Sequence, residues 1–210
     1  MKNVVITIAR QFGSGGKTIG MKLAQDLGIK CYNREILRMA SDESGIKEEL
    51  FNENDEKLRN GTLFGISKNI YNGQLIAPGK SNFVSPENMF YYQAKIIRDL
   101  AEKESCVIIG RCADFVLKDY ENVMSVFVHA PKEYCLERAG ERVALKGREL
   151  EKFVEKKDKY RGSFYKYYTG REWEDARNYD LCLDSSKLGF DKTQEAIQAY
   201  MKIKFPDWQV

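Results

Sequence analysis

The stretch Val4-Val5-Ile6-Thr7-Ile8-Ala9-Arg10-Gln11-Phe12-Gly13-Ser14-Gly15-Gly16-Lys17-Thr18 decides the fold. Its first half, Val4 to Ala9, is a β-branched, nearly unbroken apolar run, as expected of a strand buried on both faces. Glycines then crowd positions 13 to 16, and a helical pattern follows from Lys17, with Ile19, Leu23, Ala24 and Leu27 at helical spacing and Gly28 as its C-terminal stop. Strand, tight loop and helix in that order start a parallel sheet.

The rest of the chain continues the alternation. Ile29 to Tyr32 reads as a second strand and Glu35 to Ala40 as the start of a second helix. From Ser44 to Ser85 the texture changes: Gly61, Gly65, Gly73 and Gly79, many asparagines and scattered apolar residues predict a helix-and-loop insert. Ser85 as N-cap with Pro86 at the first helical position opens a helix through Met89, Ile96, Ile97 and Leu100. Cys106 to Ile109 and Val123 to Val128 are strands. A short helix through Leu117 follows the first, and a helix opening at Pro131 with Leu136, Ala139 and Val143 inward follows the second. A charged helix spans Glu149 to about Tyr168, Tyr179 to Leu183 is a fifth strand, and Asp191 with Gln194 three residues on predicts the cap of a final helix. The expected architecture is α/β, a five-stranded parallel sheet between helical layers.

Composition narrows the function classes. The 210 residues hold 34 basic and 31 acidic side chains, a net charge of +3, and no concentrated basic run, so nucleic acid is not an expected partner. No apolar run approaches the roughly 20 residues that span a bilayer, no secretory leader precedes Val4, and a cytoplasmic location is expected. A single histidine excludes a His-rich metal centre and a His-based triad. The cysteines, 31, 106, 112, 135 and 182, are odd in number and lack C-x-x-C spacing; they read as small buried hydrophobes, with a redox role for Cys112 the less favoured alternative.

The chemistry is concentrated in Gly13-Ser14-Gly15-Gly16-Lys17-Thr18. Glycines let backbone N–H groups converge on phosphate oxygens, and a helix N-terminus adds positive potential. Lys17 then reaches the β- and γ-phosphates of a nucleotide such as ATP, and the Thr18 hydroxyl ligates Mg²⁺. Gln11 stands where the pattern G-x-x-x-x-G-K-[ST] has its first glycine.

Together with Tyr32-Asn33-Arg34-Glu35, Val107-Ile108-Ile109-Gly110-Arg111, Asp158-x-x-Arg161, Tyr167-Tyr168-Thr169-Gly170 and Tyr179-Asp180-Leu181, this stretch resembles the cytidylate kinase-like family, over nearly the whole chain. The resemblance implies a P-loop NTPase fold of three α/β/α layers in one domain. Its core would be 1–43, 86–145 and 176–210, its acceptor-binding insert about 44–85 and its lid about 146–175. It implies a kinase that uses ATP and Mg²⁺ on a nucleoside monophosphate of the CMP or dCMP type. Arg111, Asp158 and Arg161 would bind the acceptor. Arg138 and Arg142, catalytic at the lid entrance, and Arg148, near its tip, would meet the transferring phosphoryl. Arg34 or Arg38 would replace a missing phosphate contact. Two other readings stay open: a regulatory nucleotide-binding module without phosphotransfer, and a kinase for another small metabolite.

The chain departs from true cytidylate kinases at Asn33, at Ile109, which replaces a carboxylate, and at Val154, which replaces an arginine. Tyr160, Phe164 and Tyr167, and likewise Tyr71, Tyr91 and Tyr92, are read as core packing.

Overall fold

The computed structural model describes residues 3–59 and 71–208. The part of the insert from 60 to 70, with Gly61 and Gly65, lies outside the described residues. Strands β1 (Val5–Arg10), β2 (Lys30–Tyr32), β3 (Cys106–Ile109), β4 (Val123–His129) and β5 (Leu181–Asp184) form one parallel sheet in the order β2-β3-β1-β4-β5. β1 lies at the centre because its run is apolar on both faces; Val5, Ile6 and Ile8 are fully buried. The chain leaves β1 toward β2 on one side, whereas β3 crosses over to β4 on the other. The carboxyl end of β1 is therefore the switch point of the sheet, where α/β proteins place ligands.

Alternate residues of the strands feed two cores. Ile6, Ile8, Val107, Ile109, Val126 and Val128 pack against α1 (Gly16–Asp26) and α8 (Ser185–Lys204). Val5, Ala9, Cys106, Ile108 and Phe127 pack against a layer built from α2 (Glu35–Ser44), α3 (Glu48–Arg59), α4 (Pro86–Lys103), α5 (Ala113–Val116) and α7 (Gly147–Thr169). This is the expected three-layer α/β/α arrangement. A third, small cluster joins α6 (Lys132–Gly140) to α7 through Ala139, Leu150 and Val154, with Phe12 and Phe153 against it. Val154, where the related kinases carry an arginine, is thus a buried packing residue here.

Ser85 caps α4 as its sequence predicts, its Oγ accepting from Asn88 N at 3.2 Å, with Pro86 at the first position. The described insert from 71 to 85 is tied down by buried Asn88, which donates to Ile76 O and Phe83 O and accepts from Ile76 N.

Two expected boundaries are corrected. The final helix is capped by Asp184, whose side chain accepts from Ser186 N, and a non-helical Gly189 interrupts it. Asp191 instead pairs with Lys22 across the α1–α8 contact, and Gln194 donates to Asp26, so tertiary partners take both members of the presumed capping box. At α6, Pro131 is the N-cap, and the helix ends at Gly140, leaving Arg142 in the turn beyond it.

Gly13 has φ +89°, and a Cβ there would fall 2.2 Å from the carbonyl oxygen of Cys135. The obstructing atoms are backbone, so no rotamer change relieves them. Gly13→Ala is expected to destabilise the protein by at least about 2 kcal/mol, from left-handed backbone cost plus overlap. An unchanged urea midpoint would contradict this close approach.

Candidate active site

The phosphate loop forms as its sequence dictates. Gly13 and Gly15 take left-handed φ angles, and α1 starts on Gly15 with no side-chain cap. Buried Ser14 braces the turn, its hydroxyl donating to Gln11 O at 2.9 Å and Val128 O at 3.0 Å. Ser185 reinforces it from α8, donating to Ser14 O at 2.7 Å. Gln11 has a structural task of its own: its side-chain oxygen accepts from Ala130 N and its amide donates to Glu174, so the missing glycine is replaced by a bracket across three segments.

Two arginines approach the loop, Arg138 from α6 and Arg142 from the turn after it. Arg142 donates to Thr18 Oγ1 at 2.9 Å. Arg138 pairs with Glu141 at 3.0 Å and lies 4.9 Å over the ring of Phe190, which itself abuts Gly15. The Nε of Arg138 is buried with no hydrogen-bond partner among the described residues. Arg148 is exposed at the start of α7.

At the switch point lies a cavity of about 460 Å³, a size suited to a small metabolite or nucleotide. Lys17 lines it, together with Arg10, Arg34, Arg111, Lys157 and Arg161. Of the two arginines expected as a replacement contact, Arg34 lines the cavity, whereas Arg38 is exposed on α2 and does not. Arg111 donates to the side-chain oxygen of buried Gln93 at 3.3 Å. Arg10, whose guanidinium lies over Gly110, occupies the space that a Cβ at that glycine would need. Burial first, and then the nearby Arg161 and Arg111, lower the Arg10 pKa to about 9, with Asp158 opposing. A guanidinium does not give up its proton under ordinary conditions. Its charge is therefore retained in a buried place beside two like charges, an arrangement that an anion in the cavity would relieve.

Asp158 stands differently from its expected acceptor role. Both its oxygens accept from Phe12 N, at 2.8 and 3.0 Å, and Oδ1 also accepts from Arg161 at 2.8 Å. Asp158 does not line the cavity; it pins the leading edge of the phosphate loop to α7. Burial raises its pKa above the ordinary carboxylate value, opposed by Arg161 and the Phe12 N–H.

The aromatic stripe of Tyr160, Phe164 and Tyr167 packs with the core as expected, and part of it has a second place. Phe164 belongs to the core, yet Phe164 and half-buried Tyr160 both line the cavity beside Tyr165 and Trp173. Tyr71, Tyr91 and Tyr92 pack with the main core as expected. Cys112 is buried at the turn after β3, and burial pushes its thiol well above the ordinary pKa, which leaves it inert as a nucleophile. Sequence reasoning missed Arg10, Gln93, Asp114 and Tyr165. For Arg10 a signal existed, since it ends the central strand at the switch point.

No group of three or more His, Cys, Asp or Glu side chains among the described residues could hold a metal ion by itself. No helix among them is long and apolar enough to cross a membrane.

A glycine cradle at the head of α1, beside a cationic cavity at the switch point of a β2-β3-β1-β4-β5 sheet, defines a P-loop phosphotransferase fold. The model of the cytidylate kinase-like family matches residues 5–187, and the chain belongs to that family. It is 26% identical over 206 residues to a cytidylate kinase of Methanopyrus kandleri, covering 94% of this chain and 92% of that one. The crystal structure of an uncharacterized protein from Eubacterium ventriosum superposes with TM-score 0.69 at 27% identity, covering 95% of this chain and 99% of that one. Shikimate kinase from Bacteroides thetaiotaomicron shares the fold at TM-score 0.53 and 13% identity, covering 95% and 98% of the two chains.

Proposed function

We propose that this protein transfers the γ-phosphoryl of ATP to a nucleoside monophosphate of the CMP or dCMP type. The observation that carries the reading is the grouping of Arg10, Arg111 and Arg161 around one cavity with Lys17 in its wall. Asp158 offsets only part of the charge of the three neighbouring guanidiniums, and a phosphate dianion suits their fork geometry. The acceptor's phosphate would therefore lie beside Lys17, and the donor's phosphates in the Gly13–Thr18 cradle.

The residues fit that donor. The loop offers backbone N–H groups without a side-chain cap, and the unpaired Nε of Arg138 is a further donor above it. Mg²⁺ would supply charge neutralisation between the phosphates when bound, held by the Thr18 hydroxyl and phosphate oxygens. Lys17, Arg138 and Arg142 are the candidate catalytic cations. Phosphoryl transfer asks the protein mainly for positioning and fixed positive charge, which this arrangement offers. We take α7 and the segment to about 175 as the lid, and about 44–85 as the acceptor-binding insert. The acceptor set then becomes Arg10, Arg34, Arg111 and Arg161, with Asp158 placing the loop.

A coupled assay with ATP, Mg²⁺ and a panel of nucleoside monophosphates tests this. ADP formation should depend on CMP or dCMP. Arg111→Ala should raise the acceptor KM about 10- to 100-fold, the worth of a charged hydrogen bond, with the ATP KM unchanged. ADP formation dependent on a different phosphorylated metabolite would move the acceptor; ATP binding without acceptor-dependent turnover across the panel would favour a regulatory module.

A further inference from the structure

Asp114 is the one carboxylate among the described residues lining the cationic cavity. It is held there by a strained turn. Gly110, Arg111 and Cys112 take φ of 75°, 60° and 53° in succession. For the two non-glycine residues this costs free energy that proteins retain chiefly at functional sites. The turn brings the side chains of Arg111 and Asp114 onto the same cavity. Tyr165 of α7 donates its hydroxyl to Asp114 Oδ2 at 2.6 Å, and the backbone N–H groups of Asp114 and Phe115 also support the carboxylate.

We infer that Asp114 reads a hydrogen-bond donor, a hydroxyl or amino group, on the molecule whose phosphate lies against Arg10, Arg111 and Arg161. The inference rests on the cavity being the acceptor site. A carboxylate has about four lone-pair positions, and Tyr165 with two backbone N–H groups fills at most three. One is left, on a side chain that faces the cavity. A carboxylate there favours an acceptor that presents N–H or O–H and rejects one that presents a carbonyl at the same place, because the opposing oxygens would lose their water without a partner.

The surroundings argue against a purely structural role. The charged and titratable groups around Asp114 are Arg111 and Cys112 of its own turn, Tyr165 of α7, and Arg171 and Tyr179 beyond it. Arg171 acts on the carboxyl less than burial, Tyr165 and the backbone N–H groups do, and is spread over the Phe115 ring at 5.2 Å. Burial dominates and raises the Asp114 pKa from 3.8 to about 6. The folded state thus binds more protons than the unfolded one between those values. Stability falls as pH rises through that window and stays reduced above it. Such a cost is tolerated where function uses the group.

The test is titration calorimetry of the full chain with CMP, UMP, ribose 5-phosphate and inorganic phosphate, on the parent, Asp114→Asn and Tyr165→Phe, with thermal melting at pH 8. Asp114→Asn should weaken CMP binding at least about tenfold, leave phosphate affinity undiminished and melt no lower than the parent. Tyr165→Phe, which keeps the carboxylate but frees it, should weaken CMP severalfold. A matching loss for ribose 5-phosphate assigns the donor to a sugar hydroxyl. A loss confined to CMP, with UMP already weak on the parent, assigns it to the amino group. Unchanged affinities of Asp114→Asn for CMP, UMP and ribose 5-phosphate overturn the inference, as does a lowered melting temperature with phosphate affinity lost in parallel. If none of the four probes, phosphate included, binds the parent, the acceptor-site reading itself fails and the inference falls with it.

Discussion

Replacing Lys17 with alanine is expected to lower kcat for acceptor-dependent ADP formation by about 10³-fold, with no loss of folded stability. The first half of that expectation follows from position. Lys17 is the second residue of α1, directly after the glycine cradle, and its side chain reaches the cavity that holds the arginine group. A cation between two phosphate sites is a fixed charge for the equatorial oxygens of the transferring phosphoryl. Deleting one preorganised donor to a developing charge costs about 10²–10³ in kcat, and a full charge placed between the two phosphate sites stands at the upper end. The second half follows from the helix. A cation in the first turn opposes the macrodipole, and the Lys17 side chain is exposed. Its removal should change stability by no more than about 0.5 kcal/mol. Kinetics and a melting curve on one preparation decide the matter. A variant within tenfold of the parent in kcat would exclude Lys17 from the phosphoryl path.

The exposure of Lys17 next to buried Ser14, Gly15 and Gly16 illustrates what the sequence could and could not disclose. The glycine run, the apolar strand before it and the helical spacing after it are local features with one sterically allowed reading, so fold and donor loop were legible together. The strands were legible for the same reason, each a short apolar run bounded by turns. Asp191 and Gln194 satisfied a local capping pattern but were drawn off by Lys22 and Asp26, partners about 170 residues away that no local pattern signals. The acceptor cavity is tertiary in the same sense. Arg10, Arg111, Asp114 and Arg161 come from the end of β1, the turn after β3, the start of α5 and the middle of α7, and only the parallel crossovers bring them to one place. The Asp158–Arg161 pair was visible at its i,i+3 spacing, but its third partner, the Phe12 N–H, was not, because a backbone donor leaves no trace in sequence.

That third partner sets the expected consequence of Asp158→Ala. Two groups lose their acceptor at once. The Phe12 N–H, which gives to both carboxylate oxygens, is orphaned in a part-buried site, and an unsatisfied buried donor costs about 1–3 kcal/mol. Arg161 loses its ion pair while Arg10 and Arg111 remain close by, leaving the cationic group without its nearest countercharge. Removing one partner of a buried pair costs about 3–5 kcal/mol. The Asp158 side chain is 21% exposed, so the lower end applies. A loss of about 3 kcal/mol in a chain of this size lowers the melting temperature by roughly 6–12 °C. Asp158→Asn separates the two contributions, because its carbonyl oxygen still accepts from Phe12 N but carries no charge; it should recover part of the loss. Inorganic phosphate distinguishes a cationic ligand site from ordinary packing. Bound among the arginines, it replaces the missing countercharge and should raise the melting temperature of Asp158→Ala more than that of the parent. An equal or smaller rise would mean that Asp158 does not share its charge with the acceptor cavity. A parent-like melting temperature for Asp158→Ala would mean that the contact between α7 and the phosphate loop contributes nothing to the fold.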